Sequence, residues 1–162
     1  ALCALQPGRP AAYRALVWGL PNPAEGTIEG AIGRNPRDRK TMAVVSHGGK
    51  SALTRYRVEK SFLAGAVSLV ECRLATGRTH QIRVHMTSVN NPLVGDMTYG
   101  RVRPSRMSRL PEVQRQALLA FPRQALHAYL LGFRHPTQGG WLRFESSIPS
   151  DISGLIKILE AV

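Results

Sequence analysis

The hydrophobic period of this chain switches once, late, and that switch constrains the fold more than any other feature. Up to Leu74 the apolar residues come in short β-type runs: Tyr13 to Trp18, Thr27 to Ile32, Met42 to Ser46, Ala52 to Phe62 and Ala66 to Leu74. Gly19, Pro21-Asn22-Pro23, Gly26 and His47-Gly48-Gly49-Lys50 punctuate them. From Thr79 to about Val89 the pattern changes: Ile82, Met86 and Val89 recur at helical spacing, and Asn90-Asn91-Pro92 stops the run. This predicts one amphipathic helix. A short helix near Glu112–Leu119, strands near Ala125–Phe133 and Trp141–Glu145, and a last helix from about Asp151 follow. Adjacent strands with helices inserted between them indicate an α+β fold, a mainly antiparallel mixed sheet with flanking helices. The first two runs are expected to pair antiparallel, and His47–Lys50 to form a hairpin turn.

At 162 residues the chain is expected to form one domain, residues 1–162, large enough to bury a sizeable core. No apolar run approaches the roughly 18 to 20 residues that a helix needs to cross a bilayer. The chain starts Ala1-Leu2-Cys3-Ala4-Leu5 without a Met, which leads us to expect an interior cut of a longer protein. Two cysteines, Cys3 and Cys72, cannot build a disulfide framework and are not paired as Cys-x-x-Cys, so a reducing cytoplasm is the expected setting. The formal net charge is +12 and the sequence pI about 11.0, which points to a polyanion, nucleic acid first, as partner. Residues 1–110 hold 17 basic and 6 acidic side chains, so the positive field belongs to the first two thirds. Arg outnumbers Lys there, and Arg offers a planar fork for phosphates and a face for stacking.

Several motifs fall away on inspection. His47-Gly48-Gly49-Lys50-Ser51 ends like a phosphate-binding loop, but Val44 stands where the pattern needs its first glycine. His80 and His85 are five residues apart, about 140° around a helix, so they cannot form an i, i+4 zinc pair. Neither Gly-x-Ser-x-Gly nor Gly-x-Gly-x-x-Gly occurs. Of three aspartates, Asp38 sits in a charge cluster with Arg34, Arg37, Arg39 and Lys40, Asp151 reads as part of a helix N-terminus, and Asp96 reads as a structural carboxylate in a turn. The densest chemistry is Thr76-Gly77-Arg78-Thr79-His80-Gln81-Ile82-Arg83-Val84-His85-Met86. It sets Arg78, His80, Gln81 and Arg83 at the start of a helix, where a phosphate or carboxylate is favoured.

That segment, followed by Asn91-Pro92-Leu93-Val94-Gly95-Asp96 with Tyr99-Gly100, then Gln124-Ala125-Leu126-His127-Ala128 with His135-Pro136, resembles the RluA-type family of RNA pseudouridine synthases. The three motifs stand in family order, and the resemblance runs from about Tyr13 to the C-terminus. Tyr13 to Gly19 is also similar to the family's Tyr-x-Ala-x-Val-x-Gly strand. The resemblance implies the pseudouridine synthase catalytic-domain fold and isomerisation of uridines in ribosomal or transfer RNA, ribosomal RNA being favoured, with no cofactor and no metal. It implies extraction of the target base from its stack. It makes Tyr13 the tyrosine packed against the flipped uracil and Arg83 the partner of the catalytic aspartate. An adjacent guanidinium would keep that carboxylate ionised and posed. Arg78, His80 and Gln81 would shape the site or hold the RNA backbone, with further RNA contacts from Arg34, Arg37, Arg39, Lys40, Arg101, Arg103, Arg106 and Arg109.

One departure shapes every expectation. The family's catalytic aspartate lies in a His-Arg-Leu-Asp motif ahead of the tyrosine strand, and no Arg-Leu-Asp occurs in this sequence. Asp96 already occupies another family motif. The chain is therefore expected to be the C-terminal portion of a synthase catalytic domain, inactive alone and completed by an aspartate from upstream. The alternative is a non-catalytic RNA-binding module of the same fold.

Overall fold

A computed structural model describes residues 11–102 and 104–161. The elements run β1 (Ala11–Trp18), β2 (Glu25–Glu29), β3 (Ile32–Arg34), β4 (Met42–Val44), β5 (Leu53–Phe62), β6 (Val67–Leu74), α1 (Gln81–Ser88), α2 (Pro104–Met107), α3 (Glu112–Ala120), β7 (Leu126–Arg134), β8 (Trp141–Glu145) and α4 (Ser150–Glu160). Six strands form one sheet in the order β2-β5-β6-β1-β7-β8, and β3 with β4 forms a separate ribbon. Every described pairing is antiparallel. The α+β expectation holds, and the expected strands and helices other than the 27–32 run are present to within a few residues at each end.

Two expected pairings are corrected. The first run does not pair with the second: β1 lies between β6 and β7, and the 27–32 run breaks into β2, paired with β5, and β3. The reason lies in burial. Alternate residues of a strand face opposite sides of a sheet, and β1 is apolar on both: Ala15 and Val17 point to one core, Leu16 and Trp18 to the other. Such a strand needs neighbours on both edges, whereas β2 buries only Ile28 and suits a sheet edge. Gly30 marks the break between β2 and β3, because a Cβ there would meet Val44 Cγ1 at 2.9 Å.

The second correction concerns His47–Lys50, which does not join paired strands. The partner of β4 is β3, and Lys50 bridges to Ile32. The actual hairpin turn is the charged cluster Asn35–Lys40. There the Asp38 backbone oxygen accepts from Thr41 N and its carboxylate from Lys40 N.

Helices cover both faces of the six-stranded sheet. On one side Leu16, Trp18, Phe62 and Val67 meet Leu118 of α3 and Ile152, Leu155 and Leu159 of α4. On the other, Ala15, Val17, Ile28, Val70 and Cys72 meet Ile82 and Met86 of α1. Met86 is fully enclosed, a burial worth about 2 kcal/mol.

The helix α1 is shorter and more enclosed than its period implies. Val89 lies outside it and is exposed, while Gln81, Ile82, Val84, His85 and Met86 are all buried. The β3–β4 ribbon explains this, since Val84 packs with Ile32 and Ala52 beside Met42 and Tyr99, on a side of α1 that the sheet does not cover. His85 ties these parts together through Thr54 Oγ1 of β5 at 2.9 Å and Gly30 O at 3.0 Å. The ring of His85 thus points inward and that of His80 outward, as their spacing requires. Clamped on both sides, α1 leaves Arg83 as the long side chain that can reach a site.

Candidate active site

The turn ahead of α1 is built by Gln81. Its carbonyl oxygen accepts from Thr76 Oγ1 at 2.8 Å and Arg78 N at 3.0 Å, and its amide donates to Leu53 O and Thr54 Oγ1, each at 3.0 Å. All four hydrogen-bonding places are taken and the residue is buried. Gln81 is therefore an internal strut, which fits shaping the site, one of its two expected tasks, and leaves its side chain no free polar atom for RNA. Arg78 is held similarly, with Nε donating to Ser51 O at 2.8 Å. His80 follows at φ 55°, a left-handed conformation that starts the helix without a side-chain cap.

Arg83 projects from this framework into a fork with Asp96. Nε donates to Oδ2 at 2.7 Å and Nη2 to Oδ1 at 2.9 Å, a bidentate pair with fixed geometry. Asp96 has no exposed side-chain surface. Oδ1 also accepts from Thr98 N and Tyr99 N, each at 3.0 Å. Burial alone would raise its pKa; the Arg83 hydrogen bond and the Tyr99 and Thr98 N–H groups outweigh that and hold it below the ordinary carboxylate value. The structural role expected for Asp96 is what the geometry displays, with a partner that the sequence does not reveal. Gly95 seats it, at φ +74°, where a Cβ would lie 2.0 Å from Arg123 O.

The Tyr99 ring covers the Arg83 guanidinium at 4.8 Å. Its hydroxyl accepts from Met42 N at 2.9 Å and meets His80 Nδ1 at 3.0 Å. The edge and one face of the guanidinium are thus occupied. Nη1 makes no hydrogen bond among the described residues. Tyr99 carried no role in the sequence reading, although it sits in the second of the three motifs.

Tyr13 lies on the α1-covered face of β1, half-buried against the cluster that contains Ile82, the residue before Arg83. Burial raises its pKa, so the hydroxyl keeps its proton at neutral pH. Basic side chains flank α1 at both ends. Arg34, Arg37, Arg39 and Lys40 are exposed on the β3–β4 ribbon, and Arg34 is close enough to His80 for its charge to help lower that ring's pKa, after the larger effect of burial. Arg34 and Arg39 line an open groove of about 630 Å³ with His47. Beyond Tyr99, Arg101, Arg106 and Arg109 are exposed, and Arg106 Nη1 donates to Asn90 O past the helix C-terminus. Arg103 lies outside the described residues, as does Cys3. Cys72 is buried, which pushes its thiol up to about 12.

A family profile described as RNA pseudouridylate synthase matches residues 8–88, from before Tyr13 to the end of α1. The chain belongs to this family. The RNA pseudouridylate synthases similar to it include a ribosomal large subunit pseudouridine synthase D of Neisseria meningitidis, 47% identical over 147 residues, which span 91% of this chain and 38% of that protein. A protein of the same description from Zymomonas mobilis is 45% identical over 148 residues, 91% of this chain and 44% of that one. Among solved structures, Human RNA Pseudouridylate Synthase Domain Containing 1 matches with a TM-score of 0.66 and 30% identity, covering 95% of this chain and 66% of that one. Human RNA Pseudouridylate Synthase Domain Containing 4 shares the fold, with a TM-score of 0.67 and 23% identity. The chain spans about two fifths of the length of the curated relatives.

Proposed function

We propose that this chain is the Tyr- and Arg-bearing portion of an enzyme that isomerises uridine to pseudouridine in RNA, ribosomal RNA in the first place, working in the cytoplasm without a cofactor. In that reaction the N1–C glycosidic bond breaks, the base rejoins the sugar through carbon 5, the hydrogen of carbon 5 leaves as a proton and N1 takes one up. The observation that carries the reading is the posed guanidinium of Arg83, whose Nε–Nη2 edge is fixed by Asp96 and whose Nη1 edge makes no hydrogen bond among the described residues. A carboxylate nucleophile docked on that edge would be kept ionised and oriented. Tyr13 would pack against the extruded uracil, its protonated hydroxyl available to the proton step. The flanking arginines would hold RNA phosphates on either side of α1.

The nucleophile itself is assigned to polypeptide outside these 162 residues, since no Arg-Leu-Asp occurs here. The same observation favours a second reading, an RNA-binding module without catalysis. Tritium release from RNA labelled at carbon 5 of uridine separates the two. The chain alone should release none, and the chain joined to the aspartate-bearing portion of a relative should release it. Failure of the joined protein to do so while still binding RNA would favour the binding module.

A further inference from the structure

We infer that Asp96 and Tyr99 are positioning residues whose task is to set the pose of Arg83, a role that rests on the isomerase reading above. An arginine side chain on an eight-residue helix has four rotatable bonds and would ordinarily sample many poses. Here two independent restraints remove that freedom. Asp96 grips the Nε–Nη2 edge, and Tyr99 covers one face. Each restraint is itself anchored away from α1. The Asp96 carboxylate is held by two backbone N–H groups of its own turn, and that turn is packed so closely that a Cβ at Gly100 would lie 2.4 Å from Asp96 O. The Tyr99 hydroxyl is tied to Met42 N on the β3–β4 ribbon and to His80. Three elements, the ribbon, the helix start and the 95–100 turn, therefore converge on the orientation of one guanidinium.

What they leave without a hydrogen bond among the described residues is the Nη1 edge, where a second anion could be met with fork geometry. A displacement of about 1 Å at a reacting group can cost about 10²-fold in rate, and Asp96 lacks any solvent path to act on substrate directly. Its contribution to turnover would pass through Arg83.

The test begins with the 162-residue chain, labelled with ¹⁵N at arginine. Arg83 Nε–H should give a resolved, slowly exchanging NMR signal that disappears in Asp96→Asn and broadens in Tyr99→Leu, while the amide spectrum stays native. Retention of the sharp signal in Asp96→Asn overturns the inference whatever the enzyme does. The second measurement uses residues 11–161 grafted into the Neisseria meningitidis relative in place of its matching stretch. Asp96→Asn should lower the single-turnover rate about 10²-fold with RNA affinity maintained, and Tyr99→Leu should lower it less. Loss of affinity in step with rate would make Asp96 a structural support only. If the unmutated graft binds RNA but does not turn over, the isomerase reading fails, and the NMR signal still decides the positioning claim. Should Asp96→Asn not fold, Asp96→Glu keeps the charge while moving the carboxylate, and must show the same loss of signal sharpness and rate.

Discussion

Two arginine–aspartate forks in this molecule share the same atom pairing and almost the same distances. Arg83 meets Asp96 at 2.7 and 2.9 Å, and Arg123 meets Asp151 at 2.8 and 2.9 Å, each arginine beneath or beside an aromatic ring. Their surroundings differ. The Arg123 fork is about two fifths exposed on both sides and joins the strand-entering loop to the first turn of α4. Its Nη1 is taken, donating to Gln124 O at 3.2 Å and Leu126 O at 3.3 Å. The Arg83 fork is 13% and 0% exposed, and its Nη1 makes no hydrogen bond among the described residues. A bidentate pair therefore does not by itself mark a site. The closed fork is a clasp between two elements, and the Arg83 fork is a clasp with one edge unbonded among the described residues.

The largest difference should appear in stability. Asp96→Asn leaves Arg83 with a neutral partner in a desolvated corner and should cost about 3 kcal/mol, the scale for breaking a buried pair from one side. Asp151→Asn breaks an exposed pair and should change denaturation of the chain little. Equal losses in urea titrations would erase the distinction between the forks. Next comes Arg123→Lys, which forfeits the planar contacts to Gln124 O and Leu126 O and should cost about 1 kcal/mol without any effect on RNA affinity. An RNA defect in that variant would place nucleic acid on the closed fork.

Binding sharpens the contrast further. If the basic residues flanking α1 contact phosphates, log affinity should fall with log salt by about 0.7 to 0.9 for each one neutralised. Replacing Arg101, Arg106 and Arg109 by Gln should flatten that slope in a filter-binding series. An unchanged slope would move the RNA path elsewhere.

The smallest effect is the pH dependence in mild acid. Both aspartates are held below the ordinary carboxylate value, Asp151 by its Arg123 hydrogen bond, so neither fork loosens until the pH falls below about 4. Burial lowers His85 below the ordinary histidine value of about 6.5, so the unfolded chain binds more protons than the folded one in that range. Stability should therefore fall as pH drops from about 7 to 5, and His85→Gln should remove much of the slope. A wild-type melting temperature that rises over the same interval would contradict the burial account.

Local patterns carried most of the elements but few of the pairings. The runs that became β5, β6, β7 and β8 were legible because residue type and turn chemistry act over a few neighbours. The placement of β1 between β6 and β7 was not, since Tyr13 finds its partners at Cys72 and Ala128, far along the chain. The two-sided apolar character of Ala15, Leu16, Val17 and Trp18 was the available signal. At the site, Arg83 and Tyr13 stand out in the sequence through the motifs that hold them, and the flanking arginines through charge alone. Asp96 as the partner of Arg83 does not, because the turn that folds back thirteen residues depends on the packing of Gly95 and Gly100. Which of its two expected tasks Gln81 performs is hidden for a related reason: a polar residue among arginines looks like a contact until all four of its hydrogen bonds are seen to end inside the protein.

One paired measurement tests whether the posed guanidinium of Arg83 serves the chemical step. In the graft with the Neisseria meningitidis relative, single-turnover tritium release is measured beside RNA affinity for Arg83→Lys and Arg123→Lys. Lysine keeps the charge and loses the fork. The account predicts that Arg83→Lys cuts the rate about 10²-fold with affinity maintained, while Arg123→Lys alters neither. A normal rate in Arg83→Lys, or a loss confined to its affinity, would make Arg83 a phosphate contact and contradict the account.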